Sequence, residues 1–220
     1  GAENYIKMLD HGGYFEVTAL SGEDLKKTEL YHANAQRRRA QAAFSDYGAY
    51  LDSLEMKATI RRFEPLYMQR IAQLTNKSNQ FNLTTLRCSE DDIRAMAEDA
   101  GCLCLYGKLV DKFGDNGVVT VVAGRQQGDV LHLQLWLMSC RVLKRGMEDA
   151  MMDAVVADAA ARGIKTIRGY YYPTAKNGMV RDFYAEMGYT QLETDENGGT
   201  VWELEVETYR PRQPHITVER

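Results

Sequence analysis

The chain has 220 residues, is 45% hydrophobic and 26% charged, and carries a formal net charge of -4. That length suits one medium domain with an appendage and a substantial core. The charge excludes a general nucleic-acid binder, and no apolar run nears the roughly 20 residues of a membrane-spanning helix. The opening "GAENYIKMLDHGG" lacks a basic stretch followed by an apolar one, so no secretory signal is expected. Four cysteines, at 88, 102, 104 and 140, show neither a disulfide framework nor zinc-finger spacing. A reduced, cytoplasmic protein without a metal site or membrane contact is the expectation.

In chain order, residues 1–55 read as a helical extension. "SGEDLKKTELYHANAQRRRAQAAF" opens with Ser21 and Asp24, a helix start, and carries a thin apolar stripe. Arg37, Arg38 and Arg39 form a solvated basic face or a docking patch for an acidic partner. "DYGAYLDSL" is a second short helix. From residue 56 "MKATIRRF" alternates as a strand. "EPLYMQRIAQLTNKS" starts a helix with Pro65 in its first turn, and "SEDDIRAMAEDAG" has a serine cap, early acids and a terminal glycine. Three strands follow, "CLCLYGKLV", "VVTVVAGR" and "VLHLQLWLM", joined by hairpin signals at "DNG" (115–117) and "QQGD" (126–129). An amphipathic helix spans 146–162. Then come strand "KTIRGYYY", helix "NGMVRDFYAEMG", strand "YTQLET" and strand "VWELEVE". Residues 210–220, interrupted by prolines, are expected to be a loose tail.

From residue 56 to 209 the order is β-α-α-β-β-β-α-β-α-β-β. This is an α+β domain: a mixed, mostly antiparallel sheet flanked by helices, with one βαβ crossover at 130–172. Ligands of such layers bind where neighbouring strands part.

The crossover carries the chemistry. "QLWLMSCRVLKRGMEDAMM" (134–152) runs a strand into a helix, with Cys140 and the cations Arg141, Lys144 and Arg145 at the junction. Strict alternation places Leu131, Leu133, Leu135 and Leu137 on a core face. It places His132, Gln134, Trp136 and Cys140 on the other. His132 cannot activate Cys140, because eight extended residues span roughly 26 Å and a thiol–imidazole pair needs about 3 Å. The start of the following helix, with Gly146, suits an anion. Cys140 reads as an inert buried sulfur or as a nucleophile; the turn "NKSNQFN" reads as ordinary turn chemistry or as a set of donors. His132 and one of Tyr170, Tyr171 and Tyr172 read as packing, and the pair Cys102 and Cys104 has no obvious partners for a metal.

Residues 130–189 resemble the core of the GNAT acyltransferase superfamily, in which an [RQ]-x-x-G-x-[GA] turn grips the coenzyme A pyrophosphate. Here that turn reads Arg145-Gly146-Met147-Glu148-Asp149-Ala150. Glu148 stands where glycine is expected, and a carboxylate there repels pyrophosphate. Asn177 and Tyr184 match the superfamily's cofactor-facing asparagine and tyrosine. A narrower resemblance rests on "RIAQLTNKSNQFNLTT", "DKFGDNGVV", "WLMSCRVLKRGME", "YYPTAKNGMV" and the leading "GGYFEVTALSGEDLKKTELYHANAQRRRA". Together they are similar to the C-terminal half of FkbH-like proteins (HAD superfamily, subfamily IIIC). Members also carry an N-terminal HAD-type phosphatase domain with a D-x-D-x-[TV] signature, and that string is absent here.

This resemblance implies a GNAT-like acyltransferase half, separated from its phosphatase half. Its activity would be transfer of a glyceryl unit to the phosphopantetheine thiol of an acyl carrier protein in polyketide assembly. The implied site has Cys140 as the thioester-forming nucleophile, with Asn79, Asn82, Thr174 and Asn177 as donors to the oxyanion or the glycerate hydroxyls. Arg141, Lys144, Arg145, Gly146 and Tyr184 would hold the phosphopantetheine arm. Two rivals stand beside it: a non-catalytic module that holds the carrier protein, and a conventional N-acetyltransferase that uses coenzyme A.

Overall fold

The computed structural model describes residues 22–220. Ser21 and the "GGYFEVTAL" string fall outside the described residues. The chain divides after Ala43. On the N-terminal side the described part is one helix, α1 (Gly22–Ala42). The basic triplet within it is not uniform: Arg38 and Arg39 are exposed, whereas Arg37 is buried and donates to Asn34 Oδ1 at 2.9 Å.

Beyond Ala43, α2 (Tyr47–Ser53) is capped by Asp46, whose carboxylate accepts the Ala49 N–H at 2.7 Å. Next come β1 (Lys57–Arg62), a 3-10 turn begun by Pro65, α3 (Met68–Lys77) and α4 (Glu90–Glu98). Ser89 and Asp92 form a reciprocal capping box at α4, satisfying donors that the first turn otherwise leaves open. Then follow β2 (Cys102–Asp111), β3 (Gly114–Gln127), β4 (Val130–Met138), α5 (Met147–Ala161) and β5 (Thr166–Tyr171). The chain finishes with α6 (Phe183–Glu186), β6 (Thr190–Thr194), β7 (Thr200–Glu205) and β8 (Thr217–Glu219).

The eight strands form one sheet in the order β6-β7-β5-β4-β3-β2-β1-β8. Only β4–β5 and β1–β8 are parallel. On one face α3 and α4 cover Tyr106, Val121, Leu135 and Leu137. On the other, α5 lies over β2, close enough that a Cβ on Gly107 would meet Met147 Cε at 2.4 Å, and Phe183 of α6 packs edge-on to Trp136 at 4.8 Å.

Four local expectations are corrected. "DNG" is not the β2–β3 turn: Asp111 pairs with Gly114, so Lys112 and Phe113 turn the chain. The motif sits inside β3, where the Asp115 carboxylate accepts the Gly117 N–H and Gly117 takes φ 68. Turn chemistry here serves a ladder whose register shifts nearby. "QQGD" does turn the chain, through Gly128 and Asp129.

The second correction concerns β4. Leu133 pairs with Gly124 and Leu135 with Ala123, so Gln134 is an extra, bulged residue. Parity inverts there. Leu135 and Leu137 therefore face α3 and α4, while Trp136 joins Leu131 and Leu133 on the α5–α6 side.

Third, "NGMVRDFYAEMG" is not one helix but a 3-10 turn, Gly178–Val180, followed by the single turn of α6. Fourth, the tail is ordered against the domain. Tyr209 and Arg212 bind Asp153, Arg212 meets Asp149 at 2.5 Å, His215 meets Asp52 at 2.5 Å, and β8 adds to β1. Acids along α5 attract the basic tail, a pairing that the prolines conceal in the sequence.

Candidate active site

The site is set by where β4 and β5 part. They pair at three positions only, Val130–Thr166, Leu131–Ile167 and His132–Arg168. The bulge at Gln134 then turns β4 away, leaving a wedge with unpaired backbone edges.

That wedge is filled by the chain itself. Residues 81–84, between α3 and α4, enter it as a segment that makes one isolated antiparallel bridge, Asn82 with Leu137. Met138 N–H donates to the Phe81 carbonyl and Leu83 N–H to the Trp136 carbonyl, both at 3.0 Å. Tyr172 N–H, just past β5, donates to the Leu83 carbonyl at 2.9 Å. Phe81 sits edge-on to Phe183 at 5.3 Å, and Leu83 is fully buried. The asparagine-rich string thus supplies a bridged segment rather than an open loop, and the gap expected beside Cys140 is occupied.

The predicted donors gather around this insert. Asn177 is fully buried; both of its amide hydrogens are spent, on the carbonyls of Asn82 and Tyr172. Its Oδ1 accepts the Thr174 N–H at 2.7 Å. Thr174 Oγ1 accepts from the Lys176 and Asn177 amides. Asn82, also fully buried, donates to the Ser78 carbonyl and accepts from Thr85 N–H. These three side chains hold the loop architecture, which leaves no hydrogen of Asn177 for an oxyanion. Asn79 is half-buried and receives Arg87 at 2.5 Å.

Cys140 opens a 3-10 turn, Cys140–Val142, immediately after β4. It is exposed, whereas Cys88, Cys102 and Cys104 are buried. Burial pushes the Cys104 thiol up to about 12. The cation nearest in sequence, Arg141, donates to Ser139 Oγ at 3.3 Å. Arg70, on α3, was not foreseen: burial first, then the charge of Arg141, pulls its pKa down. Among the described residues neither arginine forms an ion pair. Two half-buried guanidiniums that raise each other's potential suit an anion. An arginine in the first turn of a helical stripe gives no sequence signal of this.

The expected pyrophosphate cradle is already engaged. Arg145 is buried; it binds Asp111 at 3.1 Å and donates to the Arg141 carbonyl at 2.7 Å. Lys144 is exposed, with φ 61, and its N–H donates to Glu148 Oε1 at 3.2 Å. Burial raises the Glu148 pKa, opposed by the amides of Glu148, Lys144 and Gly146. The α5 terminus therefore faces a carboxylate from its own first turn. Pro214 covers it from outside, since a Cβ on Gly146 would stand 2.9 Å from Pro214 Cβ. Arg145 and Gly146 thus build the junction rather than an open anion site.

A pH test follows for Glu148. Its folded-state value is raised, so the protonated form is favoured by the fold, and this contribution is complete below the ordinary glutamate range. It is lost as pH rises through the raised value. Urea denaturation between about pH 4 and about pH 8 should show this loss in the wild type and its removal in Glu148→Gln.

Tyr184 is buried beneath β5, and burial holds its phenol above the ordinary range. Its ring packs on Gly169, against the body of the sheet rather than into a cleft. His132 bonds the Tyr170 hydroxyl at 2.6 Å, and burial lowers its pKa, so it acts as a partnered strand residue. Among the described residues no helix is long and apolar enough to cross a membrane, and no group of three or more His, Cys, Asp or Glu is placed to hold a metal ion.

A mixed sheet whose fourth and fifth strands part after a bulge, with a helix crossing between them, is the GNAT fold, and solved structures agree. The ribosomal-protein-S18-alanine N-acetyltransferase from Escherichia coli matches at a TM-score of 0.52 and 12% identity, over 71% of this chain and 98% of its own. The GNAT domain of S. lividans PAT matches at 0.52 and 19% identity, over 66% and 89%. PaiA N-acetyltransferase from Thermoplasma acidophilum, in complex with coenzyme A, matches at 0.50 and 14% identity, over 68% and 99%. No family model matches the sequence, and neither does any curated protein.

Proposed function

We propose that this GNAT-fold chain is the acyltransferase half of an FkbH-like protein. It would move a glyceryl unit, through a thioester on Cys140, to the phosphopantetheine thiol of an acyl carrier protein. The observation that carries this reading is the exposure of Cys140 just past the exit of β4, on the strand end that has turned away from β5, while the other three cysteines are buried. Arg141, its neighbour in sequence, and Arg70, which feels the charge of Arg141, supply positive charge for a phosphorylated donor or for the single phosphate of the arm.

The chemistry is two displacements. The Cys140 thiolate attacks the carbonyl of an activated glyceryl donor; the C–S bond forms as the bond to the donor's leaving group breaks. The carrier thiolate then attacks that thioester, and Cys140 departs as thiolate, its proton exchanging with solvent. Exchange between two thioesters is nearly isoenergetic, so positioning and oxyanion stabilisation suffice. The HAD phosphatase domain would act on the phosphorylated unit in the full-length protein.

The N-acetyltransferase reading has the likeness of fold in its favour; the carboxylate of Glu148 and the engaged Arg145 count against it. Intact mass spectrometry after incubation with an activated glyceryl donor tests the choice. The wild type should gain one glyceryl unit that holo-carrier protein removes, and Cys140→Ala should gain none. An adduct that persists in Cys140→Ala, or micromolar binding of coenzyme A by calorimetry, refutes the reading.

A further inference from the structure

A strand edge with unpaired N–H and C=O groups takes up any extended amide chain that reaches it. The β4 edge in the wedge is such a site, and residues 81–84 already hold it. Their bonds run through Phe81 and Leu83 to Met138 and Trp136, with Thr84 Oγ1 donating to the Gln134 carbonyl at 2.7 Å. A pantetheine arm is itself an extended chain of two amides, able to offer the same alternation of donors and acceptors.

We infer that residues 81–84 are a displaceable stand-in for the arm, and that the arm reaches the sheet only by expelling them. The inference rests on the carrier-arm reading above. Two features mark the segment as a separable element. Its side-chain ties to the sheet are few: Asn177 Nδ2 bridges the Asn82 carbonyl to the Tyr172 carbonyl at the end of β5, and Thr84 Oγ1 reaches the Gln134 carbonyl. It ends in Thr85, a β-branched residue held at φ 57. That conformation is disfavoured for such a side chain and persists only where the surroundings enforce it.

The consequence is selective. Phe81 and Leu83 are buried, so the expelled state is the minor one, and an arm's apparent affinity falls by the fraction of open molecules. A free arm or free coenzyme A binds weakly. A carrier protein that gains contacts elsewhere on the surface can drive the exchange.

Asn82 and Leu137 form an isolated antiparallel bridge. The flanking bonds come from residues 81 and 83, which makes 82/137 a non-hydrogen-bonded pair with close Cβ atoms, suited to a disulfide. In a Cys140→Ala background, which leaves non-covalent arm binding to be read by itself, Asn82→Cys/Leu137→Cys is oxidised and titrated with 4'-phosphopantetheine. The stapled form should bind at least about tenfold more weakly than the reduced form, with affinity restored by reductant. Equal affinity in both forms overturns the inference. Hydrogen exchange on the wild type decides it if the staple does not form: saturating 4'-phosphopantetheine should speed exchange across residues 81–85. Unchanged protection there, or no saturable binding in either the wild type or Phe81→Ala, also overturns it. Loss of the Cys140 adduct with retained displacement of 81–85 would instead refute the transfer chemistry alone.

Discussion

Replacing Arg145 with methionine should lower the stability of the fold by about 3–5 kcal/mol, because it takes the guanidinium from a buried carboxylate. Asp111 has no exposed side-chain surface, and the guanidinium lies 3.1 Å from it with 9% of its own side chain exposed. The second change, Asp111→Leu, should recover much of the loss in the double variant, since removing both charges also removes their desolvation cost. Urea denaturation of the two single variants and the double variant measures this directly. The outcome separates two roles for the arginine of the GNAT-like turn. A residue that grips phosphate would leave stability almost unchanged and weaken ligand binding. A residue that builds the junction does the reverse. Arg145 also donates to the Arg141 carbonyl at 2.7 Å, within the turn that presents Cys140. Its loss should therefore loosen the proposed nucleophile, slowing Cys140 acylation in whatever fraction stays folded.

Most of the fold was legible because most elements announce themselves locally. Pro65, the Ser89 cap, the leucine run of β4 and the apolar side of α5 stand at the ends and faces where the elements lie. What escaped reading is long-range or depends on one extra residue. The bulge at Gln134 is invisible to alternation, yet it moves Trp136 onto the face of Leu131 and Leu133. The string "NQFNLTT" has the composition of a turn, but its bridge to β4 exists only because β4 and β5 leave it an edge. The tail is held by Asp149, Asp153 and Asp52, which lie at least 56 positions away. At the site, exposure of Cys140 could not be read from an apolar strand end. Glu148 was legible as an obstacle to pyrophosphate, but not as a carboxylate engaged with the amides of its own turn.

Gly169→Ala should cost about 3 kcal/mol or abolish folding, and it tests the role of Tyr184 at the same time. A Cβ at Gly169 would lie 2.3 Å from two atoms of the Tyr184 ring and 2.7 Å from a third. A flexible chain end could move aside; this ring cannot. It is flanked by Phe183 at 5.4 Å, Tyr189 at 4.9 Å and Trp202 at 6.5 Å. Shifting it would break close packing around a group 1% exposed. Pairing Gly169→Ala with Tyr184→Leu should therefore show strong positive coupling in thermal denaturation, the smaller side chain relieving the clash. The hydroxyl is a separate matter. Removing the buried hydroxyl in Tyr184→Phe should change stability by no more than about 1 kcal/mol. With the ring sealed under β5, that variant should still load and discharge Cys140. Normal stability with abolished transfer would mean instead that the phenol meets the reacting atoms, and that β5 opens during turnover to let it do so.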